Sequence, residues 1–88
     1  MPLPKDIETA YDAYASTVYG SKILEKKYVE LLAYSNSVMA ECLPCIKLHA
    51  AEAKKHGATD SEIALAYAIA MTVSAGKHRL KAKELLEY

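Results

Sequence analysis

The chain has 88 residues, 52% hydrophobic and 25% charged, which fits one globular domain over residues 1–88 and is too apolar for a disordered chain. Eleven basic side chains balance eleven acidic ones, so the totals give no basic face for a nucleic acid. The longest uncharged stretch, Ile63 to Gly76, falls short of the ~18 residues of a membrane span, and the opening MPLPKDIETA lacks the apolar core of a secretory signal, so a cytoplasmic protein with no membrane partner is expected.

Pro2 and Pro4 precede a first helical pattern in which Ile7, Tyr11, Tyr14, Ala15 and Val18 recur at helical spacing, and Gly20 ends it. After Ser21, a second helix places Leu24, Tyr28, Leu31, Leu32, Ser35 and Met39 on one face. It should break at Glu41 to Pro44, because the residue before a proline is pushed out of the α region. Pro44 suits the first turn of a third helix, which runs to about His56 with Gly57 as its left-handed cap. Thr59 and Glu62 form a capping box for a fourth helix, Ile63 to Val73, which is apolar nearly all round. A fifth helix is expected after Gly76, carrying Leu80, Leu85 and Leu86. No stretch alternates like a strand, so the expected fold is all-α with five helices. A helix without a polar face must be covered on every side, and an 88-residue chain has little surface to spare. Part of the fourth helix, or the face beside it, is therefore expected to be a subunit interface in a homo-oligomer.

The chemistry gathers in Glu30-x11-Cys42-x2-Cys45-x3-His49. A disulfide between Cys42 and Cys45 would close almost no chain and add little stability through loop entropy, so the pair reads as chemical rather than as a staple. With Pro44 opening the helix, Cys45 lies in its first turn, where unpaired N–H groups and the dipole favour a thiolate. His49 follows at i+4 on the same face, placed to take the thiol proton or to stabilise the thiolate as imidazolium. An ordinary thiol is only ~3% ionised at neutral pH, and lowering its pKa to ~7 needs ~2 kcal/mol, within reach of a dipole end plus an imidazolium. Cys42 directly follows Glu41, whose carboxylate opposes a second thiolate. Cys45 is thus the expected attacking thiol and Cys42 the resolving one. Along a straight helix Glu30 would be about 18 Å from Cys42, so it can join them only if the third helix folds back on the second. Its expected role is to orient His49 or pass a proton through it.

The spacing resembles the signature of alkylhydroperoxidase D-like proteins of the carboxymuconolactone decarboxylase superfamily, with agreement at Leu24 to Lys27, Glu30 to Leu32, Gly57 to Thr59, and Glu62 with Ile63. The similarity runs from about residue 5 to about residue 86. It implies a helical bundle assembled as a trimer or hexamer, and thiol-dependent reduction of hydroperoxides, an antioxidant activity. Under the resemblance Cys45 is the peroxide-reactive thiol, Cys42 its disulfide partner, and Glu30 with His49 the proton relay. A dithiol reductant, such as a lipoyl or thioredoxin-like protein, would close the cycle without cofactor or metal. The alternative is a thiol–disulfide relay without efficient peroxidase activity of its own. Two departures stand out: Pro44 occupies the place of a histidine in the peroxidase branch, and Glu41 that of a small residue. The decarboxylase branch does not depend on the cysteine pair.

Blander readings compete for the same residues. Cys42, Cys45 and His49 supply three of zinc's usual four ligands, with His56 or His78 as a remote fourth. Glu52 and His56 continue the stripe of His49 as an ordinary charged face. Tyr11, Tyr14 and Tyr28 read as core or interface residues, and Tyr34, four residues after Glu30, is the tyrosine best spaced to join a proton relay. Lys26-Lys27 and Lys54-Lys55 read as solvated charge, or as a dock for an acidic partner.

Overall fold

A computed structural model describes residues 2–86. Among them are four helices: α1 (Lys5–Tyr19), α2 (Lys26–Met39), α3 (Leu43–Lys55) and α4 (Asp60–Leu86). The all-α expectation holds, but the expected fourth and fifth helices are one continuous rod. Gly76 lies within α4 and is not in the left-handed region that caps a helix. One interior glycine costs only about 1 kcal/mol against alanine, and Ala75, Lys77, Leu80, Lys81 and Ala82 around it all favour helix.

The helix ends follow from local chemistry. Asp6 and Glu8 in the first turn of α1 suit its positive end. At its other end Gly20 donates to the Ser16 carbonyl at 2.9 Å, and a Cβ there would lie 2.8 Å from that same oxygen, so only glycine closes this turn without displacement. Helix α3 ends in a Schellman motif: Gly57, at φ 97, donates to Lys54, and Ala58 donates to Ala53 at 2.9 Å. The capping box is reciprocal, with Thr59 N–H to Glu62 Oε1 at 2.8 Å and Glu62 N–H to Thr59 Oγ1 at 3.1 Å.

The same Schellman pattern closes α2. Glu41 donates to Val38 and Cys42 to Ser37, both at 3.1 Å, with Glu41 itself in the left-handed region at φ 56. This three-residue reversal lays α3 back along α2, and α2 also packs against α4, whereas α1 packs only sparsely on α2. The core is small: Tyr34, Ala53, Ala58 and Ile63, flanked by Leu31, Val38, Ile46, Ala50 and Ala66. The buried residues of α2 are Glu30, Tyr34 and Ser37, not the expected apolar set, of which Leu24, Tyr28, Leu32 and Met39 stay exposed. Tyr11 and Tyr14 are exposed as well, and α1 buries no residue at all. Lys27 ties α2 to α4 through Glu62 at 2.9 Å.

Candidate functional site

The reversal at Glu41 sets the head of α3. Cys42 is its N-cap, Pro44 sits in its first turn, and Ile46 donates to the Cys42 carbonyl at 2.9 Å. Cys45 is therefore the third helical residue, inside the first turn as expected. Cys42 and Cys45 are joined as a disulfide with their Cα atoms 5.2 Å apart, within the usual range for such a bond. An N-cap and an N3 residue face each other across one turn, which brings the two sulfurs within bonding reach.

One turn further on, His49 is buried and its Nδ1 lies 2.7 Å from Glu30 Oε2. The expectation that α3 must fold back for Glu30 to matter is met, because antiparallel packing of α2 and α3 closes nineteen residues of chain into this contact. Glu30 is only 3% exposed. Its other oxygen, Oε1, accepts from Lys26 Nζ at 2.8 Å. Burial pushes the Glu30 carboxyl up, but the hydrogen bonds from Lys26 and His49 outweigh it and hold the group below the ordinary carboxylate value. Glu30 is thus a buried carboxylate with both oxygens engaged by nitrogen donors.

Lys26 and Tyr19 were absent from the sequence-based site. Lys26 Nζ also donates to the Tyr19 carbonyl at 2.8 Å, and the Tyr19 ring packs against the His49 ring at 5.1 Å between centroids. The i,i+4 spacing of Lys26 and Glu30 was a visible signal. The approach of Tyr19 was not, since it depends on the loop between α1 and α2. Tyr34 belongs to the core and makes no hydrogen bond to Glu30 or His49.

The disulfide forms part of the wall of a cavity of about 590 Å³. Val18, Tyr19, Leu24, Val29 and Leu32 line it with the two cysteines, so an apolar organic group fits beside the sulfurs. The zinc arrangement is not assembled: the cysteines are bonded to each other and His49 to Glu30. Among the described residues no group of three or more His, Cys, Asp or Glu side chains could hold a metal ion. His56 instead caps α3, its Nδ1 2.9 Å from the Glu52 carbonyl, and His78 lies within α4. Lys54 pairs with Asp60 at 3.0 Å, both well exposed. Among the described residues no helix is long and apolar enough to cross a membrane.

Comparison with known proteins adds two findings. A family model described as the carboxymuconolactone decarboxylase family matches residues 5–88. The crystal structure of a protein from Methanobacterium thermoautotrophicum, solved by the Northeast Structural Genomics Consortium, is 27% identical and superposes with a TM-score of 0.84, covering 96% of this chain and 95% of that one. No curated protein sequence matches the chain significantly.

Proposed function

We propose that this chain, which belongs to the carboxymuconolactone decarboxylase family, is a small thiol-dependent hydroperoxide reductase. The observation that carries the reading is the Cys42–Cys45 disulfide at the head of α3 with the buried His49–Glu30 pair one turn below it. In the reduced protein, His49 accepts the Cys45 proton while Glu30 balances the imidazolium. The Cys45 thiolate attacks the distal peroxide oxygen, the O–O bond breaks, and the leaving alkoxide takes the proton held by His49. The product is a Cys45 sulfenic acid and an alcohol, or water when the substrate is hydrogen peroxide. The Cys42 thiol then displaces water from that sulfur to form the disulfide, and a dithiol of the lipoyl or thioredoxin-like class reduces it in two exchange steps.

A second reading keeps the same residues but omits the peroxide: the pair passes electrons from a dithiol donor to another protein's disulfide. Pro44 favours it, since proline offers no side-chain proton donor beside Cys45. The two readings part in one experiment. Free thiols are counted before and after hydrogen peroxide and an alkyl hydroperoxide, for the wild type, Cys42→Ser, Cys45→Ser and His49→Ala. A peroxidase loses two thiols together in the wild type and reacts far more slowly in Cys45→Ser and His49→Ala. Unchanged rates in those two variants would exclude the mechanism, and wild-type thiols that survive peroxide but exchange with a protein disulfide would establish the relay.

A further inference from the structure

Lys26 is the first residue of α2 and spends two of its three donors at 2.8 Å, on the last carbonyl of α1 and on Glu30 Oε1. The same ammonium sits 5.8 Å from the centroid of the Tyr19 ring, whose other contact is the His49 ring. One cation therefore ties together the end of α1, the start of α2 and, through Glu30, the middle of α3. An i,i+4 lysine–glutamate pair on an open surface is worth little. Here the carboxylate is buried, and losing one partner leaves its charge half-compensated.

The chemical consequence lies in where a proton rests. A carboxyl facing an imidazole can stay ionised and accept from Nδ1–H, or take that proton and leave it off the ring. A fixed ammonium on the far oxygen makes the carboxylate the poorer base. The carboxylate then accepts from Nδ1–H, and the neutral ring carries its hydrogen on Nδ1 with a free pair on Nε2. The charged and titratable groups bonded to Glu30 are Lys26 from α2 and His49 from α3, and from α1 the Tyr19 carbonyl accepts from that same Lys26. On α4, Glu62 is engaged by Lys27 and Thr59.

We propose that Lys26 is a positioning residue of the relay: by holding Glu30 Oε1 against the end of α1 it fixes the carboxylate as the acceptor of His49 Nδ1–H, and so presents Nε2 as the nitrogen that exchanges a proton with the Cys45 thiol. This rests on the thiol chemistry proposed above. Long-range proton–nitrogen NMR of the intact protein reads the His49 tautomer directly, and alkylation of Cys45 in a reduced Cys42→Ser background, followed against pH, reads the thiolate. The wild type should show neutral His49 as the Nδ1–H form. Lys26→Met should mix the tautomers, raise the alkylation midpoint by about one pH unit, and slow the reaction about tenfold at neutral pH. Lys26→Arg, which keeps the charge and both donors, should stay within about threefold of the wild type. An Nε2–H tautomer in the wild type, or a Lys26→Met midpoint and tautomer equal to the wild type, would overturn the proposal whether or not other variants fold. If His49→Ala leaves alkylation unchanged while Lys26→Met still mixes the tautomers, the thiol relay fails and the hold of Lys26 on the Glu30–His49 pair stands.

Discussion

Self-association is the expectation that the single chain argues for most strongly. A compact monomer of 9.7 kDa exposes about 5,100 Å², whereas this chain exposes 6983 Å². Its radius of gyration is 16.5 Å, against about 12 Å for a compact chain of this length. The excess of roughly 1,900 Å² is more than twice what one partner buries in a standard interface. Helix α1 sharpens the point: at 15 residues with none buried, it would be marginal alone in water, yet Ile7, Tyr11, Tyr14 and Val18 form a solvent-facing apolar stripe. Leu65 and Ile69, one turn apart on α4, are 61% and 51% exposed. On a monomer surface, Leu65→Glu with Ile69→Glu would change stability by no more than about 0.5 kcal/mol each. In an interface between copies, each new carboxylate must be desolvated at a cost of several kcal/mol, weakening association at least about a hundredfold. Sedimentation at micromolar concentration should therefore give a trimer or hexamer for the wild type and smaller species for the double variant, with helical circular dichroism retained. A wild-type mass of 9.7 kDa would refute the reasoning.

Three further outcomes follow from single groups. Glu30 is held below its ordinary value of 4.5 in the folded protein, so its contribution to stability is complete above that value and is lost as pH falls through the lower folded one. Urea unfolding across this acid range should show that loss in the wild type and a flatter acid limb in Glu30→Gln; identical limbs would mean that the buried contact is not maintained in solution. Glu41→Gly should stabilise the protein by about 1 kcal/mol, because the left-handed backbone at φ 56 penalises a Cβ; a thermal midpoint about 4–8 °C higher is the readout, and no rise would contradict the assigned turn. Gly76→Ala should add about 0.5–1 kcal/mol by the same assay, since a Cβ there meets nothing within 4 Å and the helix runs through; destabilisation would restore the break expected from the sequence.

Where a local rule carried the information, the sequence was readable. Thr59 with Glu62, Gly57 after α3, and Pro44 at the head of α3 each report a helix end through backbone groups a few residues away, and each sits where expected. Gly76 misled because glycine marks a helix end only when the backbone needs a left-handed residue, and nothing in α4 demands one. The buried face of α2 was misread for a different reason. Hydrophobic spacing picks Leu24, Tyr28 and Leu32, but the chain buries Glu30, Tyr34 and Ser37, with Ser37 bonding back to the Ala33 carbonyl at 2.6 Å. An inward polar stripe makes sense only once His49 is known to lie opposite. Glu30 could be picked out by its spacing to the cysteines and not by its own character, and Lys26 became relevant only when the loop between α1 and α2 brought the Tyr19 carbonyl within reach.

Pro44 bears on how much of the thiolate's stabilisation the helix can supply. Of the first helical residues, Ile46 already donates to the Cys42 carbonyl, and Pro44 has no N–H to offer. The N–H groups of Leu43 and Cys45 are then the ones left at the positive end of α3 to face a sulfur anion. The proline thus withdraws a backbone donor from the very turn that carries Cys45, besides standing where the resembled peroxidases place a histidine. Cys42 gains nothing in exchange: its own N–H is committed to the Ser37 carbonyl, and the Glu41 carboxylate is its immediate neighbour in sequence. The cation source one turn along α3 is His49, with Glu30 behind it. On the mechanism proposed above, removing His49 should cost more reactivity than restoring a donor at position 44 could recover.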